Sequence, residues 1–182
     1  MRQKGAAIKS TLQSIVNLYG EESLKRVKER LPAAMLAQIE PRVLPVAWYP
    51  IEVSAAIHEA IRDTLGEGKW QASHALGVEA ARIDFTGVYR VLLRSIQYDT
   101  MWDRAQRAWT NYNSQGDTQW IDRERGHAVG VITRVSGFNL GVWEAVAGRL
   151  EGLLQMSGAK GAIIEVKESS ATGCRLDAMW LE

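Results

Sequence analysis

The chain holds a single cysteine, Cys174, among its 182 residues. One thiol excludes an intrachain disulfide and any metal site built from several cysteines. It fits a reducing compartment, so a cytoplasmic location is expected. An excess of one charge is missing as well. The formal net charge is +1, and no strong field favours nucleic acid or an anionic membrane. Long apolar runs are lacking. The longest uncharged, mostly apolar stretch, Val43 to Ile51, is broken by Pro45 and Pro50 and is far too short for a membrane span. The basic start, Arg2 and Lys4, leads into Lys9, Ser10, Thr11 and Gln13, where a secretory leader would need an apolar block. No repeat, low-complexity tract or flexible linker divides the sequence. One unit is expected over 1–182, with a helical part at 1–112 and a sheet-plus-helix part at 113–182.

Signatures of catalysis are also scarce. The histidines are His58, His74 and His127, and no pair has the His-x-x-x-His spacing that puts two ligands on one helix face. A three-histidine site is conceivable, but structural or surface roles are the simpler expectation. His74, mid-helix among Ala72, Ala75 and Leu76, is the best placed of the three to serve as an axial haem ligand. Gly137, Gly141 and Gly148 are not followed by the Lys-Ser or Lys-Thr of a phosphate loop, and close helix–sheet packing accounts for them. Glu144, Glu151 and Glu165 show no partner that would shift a pKa. Arg82, Arg90, Arg94, Arg104 and Arg107 could form a patch, but Asp84, Asp99 and Asp103 lie among them and read as paired surface charges. Arg175 next to Cys174 points to the opposite face of a strand, so an inert thiol is expected. A Cys174–His127 dyad requires their strands to be neighbours. No nucleophile, base and orienting group assemble from spacing, so the expectation is a protein that is not an enzyme and carries no cofactor or metal.

What is present is tryptophan, seven in all: Trp48, Trp70, Trp102, Trp109, Trp120, Trp143 and Trp180. Each brings a large apolar area and one N–H that needs a partner when buried. They either fill a core or, some of them, line a cavity. Helical periodicity runs through 6–19, with Ile8, Leu12, Ile15, Val16 and Tyr19 on one face. Further helices are predicted at 21–31, 32–39, 53–65, 70–83, 87–96 and 98–112, with a proline-rich connector at 41–50. The period then changes. Segments 118–124 and 127–135 read as strands joined by Arg125-Gly126, Leu140 to Leu154 as a helix, and 161–167 and 174–181 as two more strands. The predicted fold class is α+β: an N-terminal helical bundle of six to seven helices followed by β-β-α-β-β, with a four-stranded antiparallel sheet.

Several strings in this order carry a family likeness. They are Gly5-x-x-Ile8-x-x-x-Leu12-x-x-Ile15-Val16-x-x-Tyr19-Gly20-Glu21-Glu22, Trp48-Tyr49-Pro50, Trp109-x-x-Tyr112, Gly158-x-Lys160, and Gly173-Cys174-x-Leu176-x-Ala178-x-Trp180. Over nearly the whole length the chain resembles an uncharacterised paralogous protein family of myxobacteria of roughly this size. More distantly it is similar to the superfamily joining haem nitric-oxide/oxygen-binding domains, 4-vinyl reductase-type sensor domains and Golgi-transport subunits. The resemblance implies a sensory or scaffolding module, often dimeric, with a pocket between helices and sheet. Haem-binding members carry a proximal His and a Tyr-x-Ser-x-Arg motif. Here the nearest string is Tyr112-Asn113-Ser114-Gln115-Gly116, with Gly in place of Arg. Sensor members often carry several cysteines in the last hairpin, where this chain has Cys174 and Glu168-Ser169-Ser170.

The functional expectation is a small apolar or aromatic ligand held between helices and sheet. Trp102, Trp109, Tyr112 and Trp143 would line it from the helices, and Val129, Val131, Ile164 and Trp180 from the sheet. Tyr89 and Tyr98 are further candidate polar anchors. The alternative is a ligand-free homodimeric adaptor acting through a protein partner. Neither requires nucleic acid or a membrane span.

Overall fold

The computed structural model describes residues 1–85, 102 and 105–181. The expected helix at 87–96 lies outside them, as do Tyr89, Tyr98 and much of the expected helix at 98–112. Among the described residues there are seven helices: α1 Gly5–Tyr19, α2 Glu21–Arg30, α3 Ala33–Ile39, α4 Ile51–Thr64, α5 Gln71–Asp84, α6 Ala105–Tyr112 and α7 Leu140–Ser157. The strands are β1 Arg2–Lys4, β2 Trp48–Pro50, β3 Asp117–Glu124, β4 His127–Thr133, β5 Lys160–Ser169 and β6 Cys174–Leu181. No helix among the described residues is long and apolar enough to cross a membrane.

The predicted α+β class and four-stranded antiparallel sheet are present, in the order β3-β4-β6-β5. Strict alternation makes β6 legible: Cys174, Leu176, Ala178 and Trp180 are buried, and Arg175, Met179 and Leu181 are exposed. Its cross-strand partners share its faces. Ala128 and Ile164 flank Ala178 on the inner face, while Val129 lies opposite Asp177 on the outer one.

α7 lies across the inner face. Asn139 opens the helix, its side chain accepting from the Val142 N–H at 3.0 Å. Gly158 closes it in the left-handed region at φ 107. The stripe Trp143, Ala147 and Leu154 faces the sheet and is fully buried, joining Ile164, Leu176 and Trp180 in one core. Leu154 and Ile164 each contribute roughly 1.5–3 kcal/mol by this burial. A second core joins α1, α2, α4 and α5 through Ile8, Ile15, Val27, Ile57 and Leu76.

Two features depart from the sequence expectation. β1 and β2 form a two-stranded antiparallel sheet, pairing Gln3 with Tyr49 inside what was expected to be an irregular connector. The α7 glycines serve helix–helix packing, not helix–sheet packing. A Cβ on Gly148 would stand 2.1 Å from the His74 carbonyl oxygen, and one on Gly77 2.4 Å from the Ala145 oxygen. Backbone therefore meets backbone along the α5–α7 seam.

Candidate functional site

Beyond the seam, α7 turns a third stripe, Val142, Val146, Arg149 and Leu153, toward a cavity of about 150 Å³. The i, i+4, i+7, i+11 spacing makes this a single helix face. The C-terminal end of α5 closes one side, α6 and the starts of β1 and α1 another, and β3–β4 the floor. α6 is held to the sheet by Gln106. Its Oε1 accepts from the Thr118 N–H at 2.6 Å, and its Nε2 donates to the Gly116 carbonyl at 3.1 Å. Trp109 Nε1 donates to the Gln115 carbonyl at 2.8 Å, which turns the indole into the cavity wall. Gln106 was not singled out from sequence, because a glutamine on a short helix has no pattern that marks it.

One end of the cavity is polar. Arg149 reaches from α7 to Asp84 at the end of α5, with Nη1 2.5 Å from Oδ2. Its Nη2 donates to the Ala7 carbonyl at 2.9 Å and to Ser10 Oγ at 2.8 Å on α1. Asp84 is thus not a surface charge paired with nearby arginines, as expected from sequence. It anchors an ion pair largely removed from water and joining three helices. His58 on α4 is 4% exposed and also lines the cavity. Its Nδ1 lies 2.9 Å from Ser73 Oγ. Burial, with the Arg149 charge adding to it, drops its pKa to about 3, so the ring is neutral. On Tyr112, burial and then the Asp84 charge push the phenol upward, outweighing the opposing effect of Arg149.

Of the eight residues expected to line a pocket, Trp109, Tyr112 and Val131 stand at the cavity wall. The other five lie elsewhere. Trp143 packs on Phe138 with centroids 4.2 Å apart, and its Nε1 donates to the Ser170 carbonyl at 2.8 Å. Ile164 and Trp180 belong to the inner face of the sheet, in the core beneath α7. There Trp143, Ala147 and Leu154 of α7 are buried against the strands. Trp102 stacks on Trp120 at 3.9 Å, and Val129 is buried on the outer face of the sheet. The cavity opens on a different side of α7 because Val142, Val146, Arg149 and Leu153 point there.

The remaining candidates are occupied. His74 is clamped between two carboxylates of α7, Nδ1 3.0 Å from Glu144 and Nε2 3.0 Å from Glu151. Burial pulls its pKa down, but the hydrogen bonds and charges of both glutamates outweigh this and raise it. Glu144 and Glu151 therefore do have a partner, one the sequence did not reveal because it sits on another helix. Glu151 also accepts from the Ile164 N–H at 3.1 Å. His127 Nε2 lies 2.6 Å from Asp177. β4 and β6 are neighbours, but His127 pairs with Met179 and Cys174 with Ile132, which puts the two at opposite ends and excludes a dyad. Burial, then the Glu144 charge, pushes the Cys174 thiol up to about 12. No cluster of metal-ligating side chains is found among the described residues.

Solved structures with this architecture span almost the whole chain. An Fe(II) unliganded H-NOX protein from K. algicida is similar at a TM-score of 0.66 and 8% identity, covering 98% of this chain and 97% of its own. An oxygen complex of an oxygen-binding H-NOX domain related to soluble guanylate cyclases gives 0.65 and 11%, covering 98% and 95%. An Fe(II) H-NOX mutant from S. oneidensis gives 0.63 and 12%, covering 98% and 96%. The fold is H-NOX-like. No family model and no curated relative matches the sequence.

The H-NOX-like fold implies haem, and the described residues around this cavity do not fit one. The cavity of about 150 Å³ falls below the roughly 300–1,000 Å³ that ligand pockets offer drug-sized molecules, and a haem is larger than those. All three histidines are described, and only His58 reaches the cavity. Among the described residues, the one guanidinium at the wall, Arg149, is committed to Asp84 and α1.

Proposed function

We propose that this chain is a non-enzymatic sensory module that takes a small apolar or aromatic molecule into the cavity beside α7 and signals through protein–protein contacts. The cavity itself carries the reading. It lies where α1, α5, α6, α7 and the sheet meet, so an occupant touches every layer. Its walls are mostly apolar, and its volume equals that of cavities that stay dry and accept a benzene-sized guest, about 150 Å³. Two states that differ in affinity for the guest would be shifted by its binding.

Thermal denaturation against a panel of one-ring aromatics and short fatty acids tests the reading. A guest at a hundredfold its Kd stabilises by about 2.7 kcal/mol, a Tm rise of about 5–10 °C for a chain of this size. No shift from any member of the panel overturns it.

A second reading, a ligand-free homodimeric adaptor, is favoured by the outer face of the sheet. Ile163 and Met179 pair across β5 and β6 at 51% and 39% exposure, and Leu181 beside them is 69% exposed. Light scattering that shows a concentration-independent dimer, with no response to the panel, selects this reading.

A further inference from the structure

Resting on the ligand-binding reading above, we infer that the cavity selects a neutral one-ring molecule bearing a hydroxyl-type head, which bonds to His58 and Tyr112 while its apolar body lies against Trp109 and Trp120. The polar end supplies the argument. His58 is 4% exposed and uses only Nδ1, on Ser73. Among the described residues nothing bonds its Nε2, although the ring lines the cavity. The free Nε2 edge of a ring that lines the cavity can take a guest's hydrogen bond without giving up an internal one.

Tyr112 supplies a second polar group at the cavity wall. Its hydroxyl makes no hydrogen bond among the described residues, yet it stands close enough to feel the Asp84 charge. Each group can donate or accept: the phenol by rotating its O–H, the imidazole by its tautomer. A hydroxyl also does both, and so matches the pair.

Charge decides against ions. The Arg149 guanidinium is neutralised by Asp84 and further bonded to Ala7 and Ser10, so it offers no free cation to an anionic head. His58 is held neutral by burial. Among the described residues, a charged ligand would leave water without a counter-charge to meet it. The remaining walls, Val142, Val146, Leu153, Trp109 and Trp120, suit a flat apolar body. The volume limits that body to about one ring.

Isothermal titration of the full chain at neutral pH with benzene, phenol and benzoate tests this. Phenol is expected to bind about tenfold or more tighter than benzene, because each head-group hydrogen bond is worth roughly fivefold to tenfold. Benzoate is expected to bind more weakly than phenol. In Tyr112→Phe the phenol advantage falls about fivefold while benzene affinity is unchanged, and His58→Phe acts in the same direction. Equal affinity for benzene and phenol overturns the head-group assignment and leaves the apolar-guest reading standing. Benzoate binding tighter than phenol overturns the neutral-ligand claim. Absence of binding by benzene and phenol alike overturns both this inference and the reading beneath it. Equal loss of both probes in Tyr112→Phe removes Tyr112 from the site, and the wild-type ratio still decides the rest.

Discussion

Gly148→Ala is a sharp test of the α5–α7 seam, because two physical effects give it opposite signs. Helix propensity alone favours alanine by about 1 kcal/mol at a mid-helix position. The structure opposes this. The new Cβ would stand 2.1 Å from the His74 carbonyl oxygen, and its next neighbours are the carbonyl carbon of His74 and the Val78 nitrogen. All three are backbone atoms, so no side chain can rotate away. Ordinary contact begins at 3.4 Å, so the helices would have to part by more than 1 Å along the seam that also holds Gly77 and Gly152. Overpacking of a rigid site costs about 1–3 kcal/mol, and a backbone clash belongs at the upper end. The net is about 2 kcal/mol of destabilisation, or a Tm lower by about 4–8 °C. Gly152→Ala is the internal control. Its Cβ would meet the Ala81 Cβ and the Val78 oxygen at 2.9 Å, a lesser overlap, and its net effect is expected within about 0.5 kcal/mol of zero. Urea denaturation of the three proteins, with m-values compared, measures this. A Gly148→Ala protein as stable as wild type or more so refutes the close-packed seam.

Three further outcomes follow from the titratable groups. His58 has a folded pKa of about 3, below the 6.5 of the unfolded chain, so the unfolded state binds more protons as pH falls. Its contribution is complete above pH 6.5 and is lost by about 1.4 kcal/mol per unit between 6.5 and 3. Urea titrations between pH 7.5 and 5 are expected to show a shallower acid slope in His58→Gln than in wild type. His74 has the opposite sign. Its folded pKa is raised by Glu144 and Glu151 against burial, so its contribution is full below 6.5 and fades as pH rises through the folded value. The cost of His74→Gln is expected to be about 1 kcal/mol greater at pH 6 than at pH 9, and equal costs at both pH values contradict the clamp. Asp84→Asn leaves the Arg149 guanidinium without its counter-charge and should cost about 3 kcal/mol, whereas Asp84→Leu combined with Arg149→Met should recover most of it. A double variant no more stable than the single one refutes the ion-pair account.

The sequence carried the α+β class because its periodicities are long and regular. β6 alternates over its full length, and α7 places Trp143, Ala147 and Leu154 on one stripe. β1 and β2 escaped notice because three residues contain no period, and because Pro41, Pro45 and Pro50 suggest irregular chain. The cavity was harder still. Its polar end joins Arg149 to Asp84, Ala7 and Ser10, groups distant in sequence whose meeting depends on how α1, α5 and α7 stack. Tryptophan number signalled aromatic packing but not direction. Trp109 reaches the cavity, whereas Trp143, on the sheet-facing stripe of α7, fills the core. The glycines of α7 announced a close approach, but only the contacts of Gly148 and Gly77 identify the neighbour as another helix.

The stacked indoles of Trp102 and Trp120, with centroids 3.9 Å apart at 30° between planes, have a spectroscopic consequence. At that separation their transition dipoles couple, and the far-ultraviolet circular dichroism of the chain should contain a split exciton signal absent from either ring alone. Trp120 forms part of the cavity floor and Trp102 does not. A change in ring angle when that floor is displaced would therefore alter the splitting, giving the unlabelled protein its own gauge of what happens inside it.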